Sequence, residues 1–425
     1  MPYRLGIVAT HPIQYQVPWF REMAKRPEID LTVVYCMLPD ARQQGAGFGV
    51  EFQWDVPLLQ GYEYEVADNV AKDPSSTRFL GCDTPGIGAL IRKRHFDAVL
   101  VNGWAVKSCL QVLQACRRQG LPCMVRGESN ALRRRKPWVR LFHRLLLSRY
   151  AACLAIGKAN RQFYVSNGVP KRKIFRTPYS VDNDRFARQA EAARLQRKSH
   201  RAKWSIPRDA IVFLFCGKFI RKKRPHDLLD ALARALPPCG ANVPQIHLLM
   251  VGDGELRQRC EQTATRLGLP VSFAGFLNQN DIVTAYVASD CLVLPSDHGE
   301  TWGLVVNEAF ACGLPAIVSN AVGCHPDLIV EAKTGFTFPL GDVQALASAM
   351  VAAASDSAKL RSMGRCARKH IRAYTIAHCV AGTLDALACV CRSKPSASPS
   401  WKPKPFGAPA ATYACRGAPE NGVTD

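Results

Sequence analysis

Residues 291–320 read CLVLPSDHGETWGLVVNEAFACGLPAIVSN, the pattern of a buried strand followed by a loop and a helix. The apolar run at the start predicts the strand, and the helix is predicted to begin near Gly303. A helix that starts at the carboxyl edge of a parallel sheet turns its free first-turn amides and its positive dipole end toward that edge. Gly303, Leu304 and Val305 are therefore predicted to bind a phosphate group.

Two glutamates flank this predicted turn. Glu300 lies in the loop before the helix and Glu308 lies near the helix's first turns, so they are expected to contact different parts of one extended ligand. Carboxylates accept hydrogen bonds from vicinal hydroxyl groups, which favours a ligand rich in hydroxyls. The alternative is that both residues only stabilise the helix dipole, by roughly 0.3–1 kcal/mol each.

A basic run follows another predicted strand. The sequence GKFIRKKRP starts at Gly217 and carries Lys218 and Lys223 at the strand's carboxyl end. Positive charge at this edge would neutralise a diphosphate, although a solvated run of charge has the same composition. Turns after the next two strands add three residues to the predicted ligand site: Gly252, Phe276 and Leu277.

Short apolar runs alternate with amphipathic segments over most of the chain, which predicts βαβ units and buried parallel sheets. The predicted strands of the first half are residues 4–10, 29–36, 97–103, 122–128, 151–157 and 173–180. Five strands are predicted in the second half, at residues 211–217, 245–252, 271–276, 291–296 and 315–320. The fold class is therefore α/β, with two Rossmann-like doubly wound domains.

The predicted domain boundaries follow changes in composition. They are an N-terminal Rossmann-like domain at 1–185, a polar linker at 186–205, a C-terminal Rossmann-like domain at 206–375, a closing helix at 376–392 and a disordered tail at 393–425. Residues 37–85 are rich in Gly, Pro and charge, and they are predicted to be a long insertion with one or two strands.

The composition indicates a basic protein of 425 residues. The net charge of +22 arises from 56 Lys and Arg against 34 Asp and Glu, and it favours polyanionic partners such as nucleic acid, anionic lipid or phosphorylated small molecules. The N-terminal apolar run is too short for a signal peptide. The expected location is therefore the cytoplasm, with peripheral attachment to the inner face of the cytoplasmic membrane as an extension.

No metal site is predicted. The 17 cysteines are scattered and include no Cys-x-x-Cys pair, so they are interpreted as reduced, mostly buried residues. The sequence Asp182-Asn183-Asp184 has the spacing of an Asp-x-Asp metal motif, but it leaves a strand where such residues usually form turns.

The C-terminal motifs together resemble the retaining glycosyltransferases of family 4, the glycosyl transferases group 1, which have the GT-B fold of two facing Rossmann-like domains. The spacing of Glu300 and Glu308, followed by EAFACGLPAIVS, is the specific part of this resemblance, which covers most of 205–390. It implies that Glu300 contacts the hydroxyls of a donor sugar and that Glu308 contacts the nucleotide ribose. It also implies that Lys218 and Lys223 bind the diphosphate, with Lys218 in place of the family's usual Arg.

The first half resembles this family more loosely. The loop after its first strand reads THPIQYQ, and Asn102 stands where many members have histidine. His11, Gln14 and Asn102 are therefore the acceptor-side candidates, and His11 is the candidate general base; the alternative is that His11 only caps the sheet edge. The second pair of candidates, Arg126 and Glu128, is interpreted either as an acceptor-binding pair or as a structural salt bridge.

The predicted function is transfer of a sugar from a nucleotide diphosphate sugar to a glycan or lipid-linked acceptor, in polysaccharide, lipopolysaccharide or glycoconjugate biosynthesis. Retention at the anomeric carbon is expected, with no metal or other cofactor and no nucleic-acid partner. Lys218, Lys223, Glu300 and His11 are the predicted catalytic residues. Two alternatives stay open: a nucleotide-sugar epimerase of the same fold, and a basic protein that binds a polyanion or membrane without catalysis.

The densest basic run, residues 133–136, precedes a predicted helix at 138–149. Its apolar residues recur at helical spacing: Trp138, Leu141, Phe142, Leu145 and Leu146. The favoured interpretation is a helix that packs on the core while its cations extend into solvent. The alternative is a helix that faces a membrane.

Overall fold

The computed structural model describes residues 1–236 and 245–391, and these residues form two parallel α/β sheets. The predicted disordered tail at 393–425 lies outside the described residues. The first sheet has seven strands in the order β3-β2-β1-β4-β5-β6-β7, and the second has six in the order β10-β9-β8-β11-β12-β13. In each sheet, the strand that comes first in the chain (β1 or β8) lies in the interior, and later strands are added on both sides of it. This is the order of doubly wound Rossmann-like sheets, and it confirms the predicted fold class.

Strands and helices alternate along the first half of the chain. These strands are β1 (Tyr3–Ala9), β2 (Ile29–Tyr35), β3 (Glu63–Val66), β4 (Ala98–Val101), β5 (Cys123–Val125), β6 (Ala152–Ala155) and β7 (Ile174–Arg176). The helices are α1 (Val17–Ala24), α2 (Ala41–Gln44), α3 (Ile87–Arg94), α4 (Lys107–Arg118), α5 (Pro137–Leu147), α6 (Lys158–Ser166), α7 (Asn183–Arg194) and α8 (Arg197–Lys203).

The second half continues the same alternation. Its strands are β8 (Ile211–Cys216), β9 (Ile246–Val251), β10 (Val271–Gly275), β11 (Cys291–Leu294), β12 (Ala316–Ser319) and β13 (Gly335–Phe338). Its helices are α9 (Pro225–Ala235), α10 (Arg257–Arg266), α11 (Ile282–Ala288), α12 (Leu304–Ala311), α13 (His325–Leu328), α14 (Val343–Ala354), α15 (Ser357–His370) and α16 (Ile376–Val390).

Alternate residues of each central strand pack on opposite faces of the sheet. Leu5 and Ile7 of β1 contact the core formed with α1 and α16, whereas Val8 contacts the core formed with α3 and α4. In the second sheet, Phe213 faces α9 and α14, and Leu214 faces α11 and α12. Helices cover both faces of both sheets, so the central strands are buried and the ligand-accessible positions are at their carboxyl ends.

The structure corrects the predicted count of strands in the second half. Among the described residues it contains six strands, one more than predicted, and the additional strand is β13. β13 is only four residues long and half-buried at its centre, so its apolar signal is short. The insertion at 37–85 contains one strand, β3.

The segment predicted as a linker, 186–205, is helical. It comprises most of α7 and all of α8, and both helices contact α11 of the second domain. The last helix of the described residues, α16, returns to the first domain and packs on α1, β6 and β7. A Cβ atom at Gly382 would lie 1.8 Å from the carbonyl oxygen of Arg176, so glycine permits this close approach.

One helical stretch of the described residues, 357–390, has a length and hydropathy compatible with a membrane span. It consists of α15, a 3-10 turn at Ile371–Ala373 and α16. The stretch is interrupted at this turn, and α16 packs against the first sheet. Both features are typical of helices in a folded domain.

Candidate functional site

The predicted residues Lys223 and Glu300 meet at the carboxyl edge of the second sheet. Lys223 follows β8 and Glu300 follows β11, and these two strands are paired neighbours. The Nζ atom of Lys223 donates to Oε2 of Glu300, and each side chain is only 13% exposed. Burial would raise the pKa of Glu300, but the ion pair with Lys223 and the charge of Lys222 outweigh it and lower this pKa. Glu300 is therefore a carboxylate at neutral pH.

Glu308 lies on α12 and has a neutral partner. The hydroxyl of Tyr286 on α11 donates to Oε2 of Glu308 at 2.6 Å. Burial raises the pKa of Glu308, and Tyr286 and Arg185 act against that rise. Arg185 also donates to the side chain of Gln279 at 2.6 Å, so α7 contributes to this pocket.

Tyr286 and Arg185 were not predicted to belong to the site. Tyr286 lies in an apolar helix and is fully buried, so its sequence signal is that of a core residue. Arg185 lies in the segment that we predicted to be a linker.

The turn into α12 depends on Gly303. Its φ of 101° favours glycine, and a Cβ atom there would lie 2.8 Å from Cδ2 of Leu294. Leu304 and Val305 are half-buried at the first turn. Because first-turn amides have no partner within a helix, this turn offers donors to an anion between Glu300 and Glu308.

The turns after β9 and β10 complete this edge. Gly252 has a φ of 122°, and a Cβ atom there would lie 2.0 Å from the carbonyl oxygen of Gly217, so the turns after β8 and β9 are in contact. Leu277 packs against the core of the second domain. The ring of Phe276 lies 4.2 Å from that of Phe52 and 5.1 Å from that of Phe48, both in the first domain.

Residues 45–55 of the first domain, here called the aromatic loop, cover part of this edge. The carbonyl oxygen of Ala46 accepts from Nζ of Lys218 at 2.6 Å, and this Nζ lies 4.6 Å from the centre of the Phe48 ring. Asn280 donates its backbone amide to Asp55 at 3.0 Å. Sequence reasoning assigned no role to this loop, because its irregular Gly-rich sequence lacks periodicity.

Three acceptor-side candidates lie on adjacent strands of the first sheet. The amide of Asn102 donates to the carbonyl of Val8, and that of Arg126 donates to the carbonyl of Val101, so the ends of β1, β4 and β5 are side by side. His11 follows β1, and its Nδ1 lies 2.9 Å from Oγ1 of Thr10. Burial lowers the pKa of His11 to about 4. Its ring is therefore neutral at pH 7.

Asn102 and Gln14 differ in their surroundings. The side-chain amide of Asn102 donates to Oε1 of Gln16 at 3.0 Å, which fixes its orientation. Gln14 lies half-buried in the turn that leads into α1. Gln16 was not predicted, although it lies two residues beyond Gln14.

Arg126 and Glu128 each have partners other than one another. The guanidinium of Arg126 lies between two rings, 4.9 Å from Trp19 and 4.5 Å from Tyr179. Glu128 accepts from the hydroxyl of Tyr179 and, at 2.9 Å, from the hydroxyl of Thr301 in the second domain. Glu128 therefore joins the first domain to the loop that carries Glu300.

The pKa of Tyr15 is affected by carboxylates of both domains. Burial raises the pKa of Tyr15, and the charges of Glu128 and Glu300 add smaller increases. Tyr15 and Glu128 belong to the first domain, and Glu128 is hydrogen-bonded to Thr301 beside Glu300, so these two first-domain residues lie next to the donor-side loop.

Asp182 has a structural role in this protein. Its carboxylate accepts from the amide of Arg185 at 2.9 Å and caps the N-terminus of α7. Residues 1–236 and 245–391 contain no group of three or more His, Cys, Asp or Glu side chains placed to hold a metal ion.

Comparison with known proteins identifies a family for the second half of the chain. Residues 196–370 match the family model described as glycosyl transferases group 1. A mannosyltransferase of Mycobacterium tuberculosis, GDP-mannose-dependent alpha-(1-6)-phosphatidylinositol dimannoside mannosyltransferase, is 32% identical over 49% of this chain and 51% of its own length. The lipopolysaccharide core biosynthesis glycosyltransferase LpsE of Rhizobium meliloti is 32% identical over 37% of this chain and 43% of its own. The chain spans about half the length of the curated relatives it matches.

Solved structures share the fold over almost the whole chain. A glycosyltransferase from Rickettsia africae superposes with a TM-score of 0.71 at 14% identity, covering 92% of this chain and 100% of its own. HepE of Anabaena, solved with UDP and glucose, gives a TM-score of 0.65 at 17% identity, covering 91% of this chain and 99% of its own. The described residues therefore have a GT-B-like arrangement, and residues 196–370 of the chain match the family of glycosyl transferases group 1.

Proposed function

We propose that this chain is a glycosyltransferase that moves a sugar from a nucleoside diphosphate sugar to a glycan or lipid-linked acceptor. The observation that carries the proposal is the cluster formed by Lys223, Glu300, the first turn of α12 and Glu308. A cation, a set of free amides and two carboxylates at one sheet edge suit a ligand made of a diphosphate with a hydroxyl-rich group at each end.

The two carboxylates divide the ligand between them. Glu300 is paired with Lys223, so a donor sugar whose hydroxyls bind Glu300 would have its anomeric phosphate beside a cation. Glu308 lies farther along α12 and is assigned to the ribose. An ammonium group has three donors, so Lys223 can hold Glu300 and a phosphate oxygen at the same time.

The chemical step in this proposal is loss of the nucleoside diphosphate from the anomeric carbon. Negative charge grows on the leaving phosphate, and fixed positive groups stabilise it without reorganisation. Lys223 and the α12 amides provide that field in the closed cleft, and Lys218 joins them after it leaves the carbonyl of Ala46. We propose that no metal ion is required and that the anomeric configuration is retained.

His11 is assigned to the acceptor. Its pKa of about 4 makes it a weak base at neutral pH, so we propose that it mainly orients the acceptor hydroxyl by accepting a hydrogen bond. The relatives named above act in glycolipid and lipopolysaccharide synthesis by their names, which supports a lipid-linked or glycan acceptor here.

A nucleotide panel tests the donor assignment. UDP, GDP and their glucose and mannose derivatives should be compared by thermal shift, since a ligand at 100 times its dissociation constant stabilises by about 2.7 kcal/mol. Lys223→Met should abolish the shift of the best ligand and Lys223→Arg should keep part of it, while Lys93→Met on α3 serves as the matched control. Equal shifts for all four proteins would contradict the assignment.

Product analysis separates transfer from the epimerase alternative. With the best donor and a membrane lipid extract, a transferase forms a sugar-bearing lipid whose anomeric configuration can be read by NMR. An epimerase converts the donor when no acceptor is present, and that result would replace the proposal.

A further inference from the structure

The outward face of α5 is apolar, contrary to the favoured interpretation of its sequence. Four residues that we expected to pack on the core are exposed: Trp138 (68%), Leu141 (58%), Phe142 (52%) and Leu145 (52%). The helix instead packs on the domain through His143, Leu146 and Leu147. Large apolar residues that cluster on one exposed face usually mark an interaction surface.

Cations surround this face without any acidic residue nearby in sequence. The chain contains no Asp or Glu between Glu128 and Asp182. Five exposed cations lie on α5 or directly before it: Arg133, Arg134, Lys136, Arg140 and Arg144. Arg135 is partly buried, because it donates to the carbonyl of Asn130 at 2.7 Å and stacks on Phe163. It therefore fixes the basic segment to the domain.

A shallow cavity of about 240 Å³ lies between α5 and the end of α6. Its lining includes Arg140, Leu141, Arg144 and Asn167. Asn167 is 5% exposed, and its Oδ1 is a buried acceptor with no hydrogen-bond partner among the described residues. The cavity thus has two cations that suit a phosphate, and it borders a residue whose buried acceptor is unsatisfied.

We propose that α5 docks on an anionic phospholipid bilayer and that this cavity receives a lipid headgroup. Trp138, Leu141, Phe142 and Leu145 enter the interfacial region, Arg140 and Arg144 bind the lipid phosphate, and Asn167 accepts from the headgroup's hydroxyl or ammonium. Apolar side chains favour a bilayer over a nucleic acid, because hydrocarbon buries them and a phosphate backbone does not. The surface extends the proposed function by bringing the cleft to a lipid-linked acceptor, but its membrane contact does not require sugar transfer.

Vesicle binding tests this surface in the full-length protein. Vesicles of 70% phosphatidylcholine and 30% phosphatidylglycerol should bind the protein in 50 mM NaCl and release it in 500 mM NaCl, and pure phosphatidylcholine should bind far less. Arg140→Gln with Arg144→Gln should weaken binding about 30-fold, from about 1 kcal/mol per cation. The control Arg92→Gln with Lys93→Gln removes the same charge from exposed positions of α3.

Two further variants distinguish insertion and headgroup recognition from attraction by net charge. Trp138→Ala should weaken binding at constant charge, whereas Leu80→Ala, at an exposed site that is 66% accessible, should not. Asn167→Leu should reduce the preference for phosphatidylglycerol over phosphatidic acid, which lacks the glycerol hydroxyls.

Equal losses in the α5 and α3 charge variants would overturn the proposal, as would absence of binding to anionic vesicles in 50 mM NaCl. A change of oligomeric state in Trp138→Ala, measured by light scattering, would make this face a contact between copies and would also overturn it. Nucleotide thermal shifts on the same variants should stay unchanged, so failure of this inference is distinguishable from failure of the proposed donor site.

Discussion

Replacing Glu308 by Gln tests the ribose assignment most directly. Oε2 of Glu308 accepts from the Tyr286 hydroxyl at 2.6 Å, so Oε1 is the oxygen that we expect to accept from the ribose. If the amide oxygen of Gln keeps the bond to Tyr286, its NH₂ group faces the ribose and cannot accept. The variant therefore loses one hydrogen bond to a charged group, which contributes about 1.5–3 kcal/mol. Nucleotide affinity should fall by about 10- to 150-fold.

The assay is calorimetric titration of the nucleoside diphosphate that binds best, UDP or GDP, beside its 2′,3′-dideoxy form. The wild type should bind the dideoxy form more weakly, and Glu308→Gln should add at most about a threefold further loss on that ligand. This cycle isolates the pairwise contact, because each change alone removes the same bond. A full loss on the dideoxy form as well would show that Glu308 acts through the fold and would refute its contact with the ribose.

Glu308→Gln should weaken nucleotide binding, but it should not lower the stability of the nucleotide-free protein. Burial raises the pKa of Glu308, so the folded state holds this proton more tightly than the unfolded state does. The contribution of Glu308 to stability is then present below its unfolded pKa and is lost as pH rises through the folded pKa. Without nucleotide at pH 7, Glu308→Gln should melt at or above the wild-type temperature. A loss of binding together with a raised melting temperature cannot be explained by unfolding.

Four other outcomes follow from the structure. Glu300→Gln should lower the melting temperature at pH 7 and lose this effect in acid, because the lowered pKa of Glu300 gives stability that disappears as pH falls through it; a difference independent of pH would contradict the Lys223 pair. Transfer should persist in excess EDTA, and rescue of a complete loss by manganese would refute the metal-free proposal. His11→Ala should reduce transfer about 10²-fold at unchanged nucleotide affinity, because a misplaced acceptor hydroxyl costs a factor of about this size. The wild-type rate between pH 5.5 and 8 should show no inflection from His11, since its pKa is about 4. Phe52→Ala should raise the nucleotide on-rate in stopped flow, because it weakens the contact that holds the aromatic loop on Phe276. An unchanged rate would show that separation of the loop from Phe276 does not limit nucleotide entry.

The sequence predicted that the second-domain candidates lie together at one sheet edge, because the signals for this placement are local. The strand, the loop with Glu300 and the helix with Glu308 are contiguous, and the Rossmann pattern places their junction at a known edge of the sheet. The pairing of Lys223 with Glu300 follows from the adjacency of β8 and β11, which the strand order of a doubly wound fold implies. These features need only the period of the apolar residues and the positions of the turns.

Contacts between domains could not be predicted in the same way. The aromatic loop meets Phe276 across more than two hundred residues of sequence, and nothing in its irregular sequence specifies that approach. The prediction that the apolar residues of α5 pack on the core was wrong for another reason. Its apolar spacing is correct for a helix, but periodicity indicates only that one face is apolar and does not say whether protein, solvent or lipid lies against it.

One short loop links proposed acceptor-side and donor-side residues across the contact between the two domains. Thr301 follows Glu300 directly, and it is held from the first domain by two bonds: its hydroxyl donates to Glu128 at 2.9 Å, and its carbonyl accepts from Asn130 at 3.2 Å. The side chain of Glu300 is paired with Lys223 of the second domain. Any separation of the domains must break both bonds to Thr301, and it then leaves the Glu300 loop fixed by the second domain alone. Because the aromatic loop also binds Lys218 from the first domain, the same movement frees Lys218 for a diphosphate. Opening of the cleft thus changes the environments of two proposed donor-binding residues together, which couples the position of the domains to the state of the donor site.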